Sequence, residues 1–295
     1  MNKTITIGAV MAMAATSGFA GDRDIERKFA CDKKVDIQVI NAVGDIEVTG
    51  ERTKQCRVYA KLGAQAKRLE VKERGDRITI EVIYDGSKWR DNGTRLMVYV
   101  PHSANLKVNG VSSDVEVEGV NGVLALQSVS GDITVETKSD AIWANTTSGD
   151  VDIEGGRAPG KTDASSTSGS VEVSDVAGRI DASSVSGSVD ISDSALHTAN
   201  LNVISGHIDV NDALLPNVDL EAETVSGGLD INVASNFAGD VAVSTLNGGI
   251  DNCFGPKPQR TSRYGPGKTL VFDRGDGDGR INLSSVNGSI HLCTD

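Results

Sequence analysis

The chain has 295 residues, and its 41 acidic residues outnumber its 29 basic residues, which leaves a formal net charge of −12 at pH 7. This balance argues against binding of nucleic acid or anionic lipid, because contacts with phosphate groups require a basic surface. An acidic chain is instead compatible with metal cations or with basic partners.

The first twenty residues have the pattern of a secretory signal peptide. Lys3 supplies a positive charge, an apolar stretch covers residues 5–15, and Gly18-Phe19-Ala20 forms a small-x-small cleavage site. We expect cleavage after Ala20 and a mature protein that is periplasmic or secreted. No later segment is long and apolar enough to cross a bilayer, so a membrane-spanning protein is not expected.

Residues 21 to about 108 predict an irregular N-terminal β cap. The segments CRVYAKL, RLEVKE, RITIEVIY and RLMVYVP alternate apolar and polar residues, which is typical of strands. We expect this cap to merge into the regular repeats that occupy residues 109–295.

A repeat of about nineteen residues dominates those later residues. It consists of Ser-Gly or Asn-Gly, then a polar residue, then an apolar-polar-apolar run, as in SGDITVE at Ser130, SGDVDIE at Ser148, SGSVEVS at Ser168 and SGSVDIS at Ser186. A fixed period of this length is typical of a solenoid, in which each repeat is one coil. The glycine is expected to supply the backbone freedom that a sharp corner needs.

The apolar positions of the repeat fall into columns. Two positions after the glycine, the chain has Ile133, Val151, Val171 and Val189 in successive repeats. Alternation with period two predicts a half-buried strand after each glycine, and further apolar columns predict a second strand before it. We therefore predict an all-β fold, a single-stranded parallel β-solenoid (β-helix-like) of about ten coils, with coils roughly 4.8 Å apart.

A proline- and glycine-rich stretch interrupts the repeats near their end. Pro256, Pro258 and Pro266 lie in it together with several glycines, so the sequence predicts an inserted loop at about residues 254–280.

The four cysteines predict two disulfides, because an even number in an oxidising compartment favours pairing. Cys253 and Cys293 each lie five residues after a repeat glycine, so they would be close together on adjacent coils. We predict a Cys253–Cys293 bond, and a Cys31–Cys56 bond in the N-terminal cap.

An acidic column is predicted on the outer surface, three positions after each glycine. Eight of its ten positions are carboxylates, namely Glu47, Glu116, Asp152, Glu172, Asp190, Asp209, Asp230 and Asp251; the other two are Thr134 and His291. One hypothesis is that Asp152, Glu172, Asp190, Asp209, Asp230 and Asp251 bind a divalent cation such as Ca²⁺, or a basic partner. The alternative is a solvated face that keeps the sheet soluble.

Catalytic residues are not predicted. The four histidines lie on different repeats without a Ser or Cys partner, and every coil offers similar carboxylate pairs, so that no pair is singled out. No cofactor is expected beyond the Ca²⁺ considered above.

The sequence resembles the bacterial putative-adhesin family of β-strand-repeat proteins. The resemblance is carried by the early GDIEV copy, the LMVYVPHSANLKV segment, the SGDVDI ladder and the closing NGSIHL, and it covers about Lys34 to Cys293. It implies a β-helix-like fold, usually right-handed, and offers no catalytic or ligand residues.

We therefore expect a non-enzymatic exported protein that acts as an extended binding or structural surface for a protein or glycan partner in the cell envelope. The alternatives are a carbohydrate-active enzyme on a β-helix scaffold and a cell-surface adhesin.

Overall fold

The computed structural model describes residues 23–31, 34–85 and 93–294. The predicted signal peptide of residues 1–20 lies outside these ranges. Within them the chain forms twenty-five strands, joined into one sheet with mostly parallel pairings and without helices. The predicted fold, an all-β parallel β-solenoid, is confirmed. No helix among the described residues could cross a bilayer.

The central coils each contain two strands, a first arm before the glycine corner and a second arm after it. First arms pair in parallel with first arms, and second arms pair with second arms. The strands are β8 (Leu124–Gln127), β9 (Ile133–Glu136), β10 (Ala141–Ser148), β11 (Val151–Glu154), β12 (Pro159–Ser168), β13 (Val171–Ser174), β14 (Ala177–Ser186), β15 (Val189–Ser192), β16 (Ala195–Ser205), β17 (Ile208–Asn211), β18 (Leu214–Ser226) and β19 (Leu229–Val233).

The core consists of apolar columns that run along the solenoid axis. Val151 pairs with Ile133 on one side and Val171 on the other, and Val171 pairs in turn with Val189. None of these four side chains is more than 1% exposed. Because burial of one such side chain is worth about 1.5–3 kcal/mol, the in-register columns are the main source of stability.

The N-terminal region contains complete coils as well as a cap. Its strands are β1 (Asp24–Ala30), β2 (Asp36–Glu51), β3 (Gln55–Lys61), β4 (Ala66–Arg74), β5 (Arg77–Tyr84), β6 (Arg95–Pro101) and β7 (Asn105–Glu118). The long strands β2 and β7 pair in parallel over both arms, so the parallel stack extends across residue 108. On its other side β2 pairs in parallel with β5 and β6, which together form a further coil. The antiparallel strands β1, β3 and β4 then cover that end.

The C-terminal coil is inserted between two coils that precede it in the sequence. The last strands are β20 (Gly239–Asn247), β21 (Ile250–Asn252), β22 (Gln259–Arg260), β23 (Lys268–Arg274), β24 (Gly279–Asn287) and β25 (Ile290–Thr294). β24 and β25 pair with β18 and β19 on one side and with β20 and β21 on the other. The stretch predicted as an inserted loop contains β22 and β23, and β23 covers the free edge of β20 in antiparallel pairing.

The glycine corners bring the backbones of neighbouring coils very close together. A Cβ atom at Gly187 would lie 2.1 Å from the carbonyl oxygen of Gly169. The φ angle of Gly187 is not positive, so its requirement comes from close approach rather than from the backbone freedom that we expected. At several corners a buried hydroxyl group three positions before the glycine bonds to such a carbonyl, as in Ser184 Oγ to Gly169 O at 2.8 Å. Thr224 is an exception, since its buried Oγ1 has no hydrogen-bond partner among the described residues.

Candidate functional site

The acidic column lies on the outward face of the second arms. Strand pairing places Asp152 opposite Glu172, Glu172 opposite Asp190, Asp190 opposite Asp209 and Asp209 opposite Asp230. The side chains change from exposed at Asp152 and Glu172 to half-buried at the last three positions. The alternation of the strands is what points all five in one direction.

The order of coils interrupts the column after Asp230. Sequence order would place Asp251 beside Asp230, but the inserted last coil puts His291 between them. Asp251 Oδ2 lies 3.6 Å from His291 Nδ1, and its side chain is 86% exposed. The predicted ligand Asp251 is therefore separated from the other five.

Five successive carboxylates of the column, from Asp152 to Asp230, have no compensating cation nearby, whereas Glu47 near the other end lies 3.0 Å from Arg95 Nη2. In residues 23–31, 34–85 and 93–294, no basic side chain lies within ion-pair distance of the five column carboxylates, which are Asp152, Glu172, Asp190, Asp209 and Asp230. Burial, followed by the charge of Asp209, raises the pKa of Asp190, and burial, followed by the charge of Asp230, raises the pKa of Asp209. His207 opposes both increases.

Asp181, on the outward face of a first arm, is compensated instead. Asp181 pairs with Arg179 at 2.7 Å and with Lys161 at 3.1 Å, and it accepts a hydrogen bond from Asn200. Burial alone would raise the pKa of Asp181, but these three partners lower it. The electrostatic environment of Asp181 is therefore opposite to that of Asp190 and Asp209, although all three are aspartates on outer faces.

A second set of aspartates, one position after the glycine, supports the fold. Asp114 accepts a hydrogen bond from the backbone N–H of Asp132 at 3.1 Å, Asp132 accepts one from Asp150 at 2.8 Å, and Asp150 accepts one from Ser170 at 2.7 Å. Each carboxylate thus joins one coil to the next. The acidic column differs, because its carboxylates accept no such backbone hydrogen bond from the next coil in the described residues.

His207 also lies one position after a corner glycine, and it adds an imidazole to the carboxylates of the acidic column. A ring nitrogen of His207 and a carboxylate oxygen from each of Asp209 and Asp230 all lie within 4.8 Å of one another. Asp152, Glu172, Asp190 and Asp251 belong to no such three-ligand cluster in the part of the chain that the structure describes. The predicted Ca²⁺ role of the whole column stays a prediction.

The cysteines form the two predicted pairs in the structure. Cys31 is bonded to Cys56 with a Cα–Cα separation of 5.6 Å, and Cys253 to Cys293 with 4.9 Å. His291 lies beside the second pair, but both sulfurs are engaged in the bond and are not free to bind a metal. Disulfides of this kind fit an oxidising compartment.

A row of exposed apolar side chains runs from coil to coil just before the glycine corners, and it was not predicted from the sequence. Two positions before the corner glycine, side chains that are 41–54% exposed recur on the same edge of the stack. We define the apolar ridge as Val111, Val129, Val185, Ile204, Val225, Val286 and Leu246. The sequence signal was present as a further column at that position, but only the structure shows that the column faces outward.

The polar interruptions of the ridge show that its apolar character is not required by the fold. Thr147 and Thr167 take the corresponding positions in two central coils and are exposed in the same way. Since a threonine is accommodated there, the folded coil does not need valine or leucine at that corner. Contiguous exposed apolar side chains typically mark an interaction surface.

Comparison with known proteins places the chain in a family. It is similar in structure to a putative adhesin from Bacteroides fragilis, with 12% identity, a TM-score of 0.48 and coverage of 91% of this chain and 96% of that one. A putative lipid binding protein from Parabacteroides distasonis matches with 14% identity, a TM-score of 0.43 and coverage of 94% and 98%. No protein of curated function matches. The Toastrack DUF4097 family matches residues 33–252, in agreement with the resemblance noted above, and the chain belongs to this family.

Proposed function

We propose that this chain is a non-enzymatic binding protein of the cell envelope, which holds a partner protein along the apolar ridge and the acidic column. The observation that carries the proposal is the ridge itself. It extends over nine successive coils, which at ~4.8 Å per coil corresponds to about 38 Å. Such a length suits an extended contact rather than a small-molecule pocket.

The charge of the surface suggests the chemistry of the partner. In each coil the acidic column follows the ridge by five residues, as Asp190 follows Val185 and Asp209 follows Ile204. The absence of basic groups beside these carboxylates, within the described residues, leaves them able to attract a basic partner. We therefore expect the partner to present an apolar strip flanked by Lys or Arg.

A protein partner is favoured over a glycan. Sugar-binding surfaces commonly rely on exposed aromatic rings, whereas the ridge contains only aliphatic side chains. Tyr264 is the strongly exposed aromatic side chain in the described ranges, and it lies away from the repeats in the stretch before β23. The localisation in the envelope rests on the predicted signal peptide and is supported by the two disulfides.

The test compares a ridge variant with a matched control. Val185→Ser, Ile204→Ser and Val225→Ser would be combined, while Val123→Ser changes an equally exposed valine outside the ridge. Mature wild type, ridge variant and control would be used to capture proteins from the native envelope, and each captured protein would be purified and titrated against all three.

We expect a protein that binds wild type and control with equal affinity, binds the ridge variant at least tenfold more weakly, and loses affinity as salt increases. Equal binding by the ridge variant would refute the proposal. Capture that depends on a carbohydrate rather than on a protein would replace it with the glycan alternative.

A further inference from the structure

We propose that His207, Asp209 and Asp230 form a binding site for a divalent transition-metal ion of the zinc class. None of the three side chains belongs to the apolar ridge, although Asp209 and Asp230 belong to the acidic column. It assigns a defined role to one part of the acidic column and none to the remainder.

The strand geometry brings the side chains of His207, Asp209 and Asp230 close together. His207 lies immediately before the second arm β17 and Asp209 lies within it, two residues later, so both point outward. Asp230 lies directly opposite Asp209 on the next coil. Their ligand atoms are within 4.8 Å of one another, and all three residues are half-buried. Zinc with bonds of 2.0–2.1 Å separates tetrahedral ligands by about 3.3 Å, a distance that small side-chain rotations can reach.

The neighbouring coil leaves room for the imidazole ring. Gly228 lies beside His207, and a Cβ atom at Gly228 would be only 2.9 Å from His207 Cε1 and 3.0 Å from its Nδ1. Any larger residue at position 228 would displace the ring. The combination of a histidine and a facing glycine is specific to this pair of coils, because the equivalent positions of the central coils carry Asp or Ser.

An outer layer of amides orients one of the carboxylates. Asn211 donates a hydrogen bond through Nδ2 to Asp209 Oδ1, and Asn232 donates one to Asn211 Oδ1 at 2.5 Å. Hydrogen bonds to a ligating carboxylate are a typical feature of metal sites, because they fix its direction. The bond from Asn211 involves only Oδ1, so Oδ2 of Asp209 stays available as a ligand atom.

The donor set favours a transition metal over calcium. Ca²⁺ takes six to eight oxygen ligands, whereas one imidazole nitrogen and two carboxylates suit Zn²⁺ with a fourth position open to water or to a ligand. Affinity for such nitrogen-containing sites increases toward Cu²⁺ and Zn²⁺ among the divalent metals. Two facing carboxylates without a cation are also unfavourable, and a bound ion would neutralise them.

Calorimetry on chelator-treated mature protein tests the site with ZnCl₂ and CaCl₂ as separate probes. We expect one Zn²⁺ per chain, a raised melting temperature with Zn²⁺, and more than a tenfold loss of affinity in His207→Ala and in Asp230→Asn. His197→Ala removes an exposed histidine, Asp152→Asn removes a carboxylate of the same column, and both should bind Zn²⁺ like wild type. Circular dichroism of the metal-free variants shows whether each remains folded.

Titration with Co²⁺ provides a second readout, since its visible absorption reports the ligands directly. The spectrum should change in His207→Ala and stay unchanged in His197→Ala. The proposal fails if Zn²⁺ gives no heat, or if His207→Ala binds it as wild type does. It also fails if Ca²⁺ binds and His207→Ala leaves that binding unaltered, since the carboxylates would then act without the imidazole.

Discussion

Aspartate side chains in this molecule differ according to their neighbours on the adjacent coils. Asp181 lies among Arg179, Lys161 and Asn200, which lower its pKa against the effect of burial. Asp190 is also partly buried, but it faces Asp209 and has a raised pKa. At neutral pH the charge of Asp181 therefore stabilises the fold, whereas the charge of Asp190 destabilises it.

Replacing Asp190 with Asn should stabilise the protein at pH 7. A raised pKa in the folded state means that protonation of Asp190 contributes stability, which is present below the ordinary aspartate pKa of about 3.9 and is lost as the pH increases through the raised value. Removing the charge should therefore increase the free energy of unfolding at pH 7 by about 0.2–1 kcal/mol, the usual range for cross-strand pairs. Urea unfolding with a chelator at pH 7 and pH 3.5 measures the change, which should shrink at the lower pH.

Asp181→Asn is the control for this experiment. The lowered pKa of Asp181 corresponds to stability that is present above its ordinary value and is lost as the pH decreases through the folded-state value. Its substitution should thus destabilise the protein at pH 7. If Asp190→Asn has the same sign as Asp181→Asn, the electrostatic account of the acidic column is wrong.

The repeating element is a coil whose corner is as important as its strands. The glycines there let the backbones of adjacent coils approach closely, and buried hydroxyls satisfy the carbonyl groups that the corner leaves without a strand partner. Thr146 bonds to Gly131 O at 3.0 Å and Ser166 to Gly149 O at 2.8 Å. Because an unpaired buried polar group costs free energy, these hydroxyls contribute to the stability of the corner.

Gly187→Ala should destabilise the stack. The new Cβ would lie 2.1 Å from the oxygen and 2.5 Å from the carbon of the Gly169 carbonyl, so that two coils would have to separate. Overpacking of this kind costs about 1–3 kcal/mol. Thermal denaturation followed by circular dichroism measures the loss.

Gly249→Ala is a matched control at a corner with more space. The nearest atom to its new Cβ is Ser289 Oγ at 3.4 Å, and the φ angle is not positive, so a change within about 0.5 kcal/mol is expected. If both substitutions destabilise the protein equally, the close approach of Gly187 to the Gly169 carbonyl is not the reason why position 187 is glycine.

At the scale of the whole molecule, both ends of the stack depart from sequence order. β2 lies between the coil of β5 and β6 and the coil of β7, while β24 and β25 lie between β18–β19 and β20–β21. Segments close to the described chain ends are therefore bonded on both sides. Antiparallel strands cover β5 and β6 at one end and β20 at the other, which limits edge-to-edge aggregation there.

Hydrogen exchange should show the last coil to be as protected as the central ones. The amides of β24 and β25 lie in strands with neighbours on both sides, whereas chain termini usually exchange quickly. Mass spectrometry of peptides from residues 279–294 should give slow exchange, similar to residues 195–233. The exposed stretch 254–267 serves as the fast reference, and exchange of the last coil at that rate would contradict the observed coil order.

The repeating unit, the apolar columns and the direction of the acidic residues could all be predicted from the amino-acid sequence. This was possible because a strand alternates with period two, and because residues such as Val151 and Val171 hold the same position in successive repeats. These are local properties, and stacking in register only multiplies them.

The order in which the coils are stacked could not be predicted from the sequence and is known only from the folded structure. Near-identical repeats offer near-identical edges, so the sequence pattern does not distinguish Asp251 from His291 as the neighbour of Asp230. The outward direction of the apolar ridge and the approach of His207 to Asp230 were decided in the same way. They depend on the close spacing of backbones on different coils, and that spacing arises from nonlocal pairing.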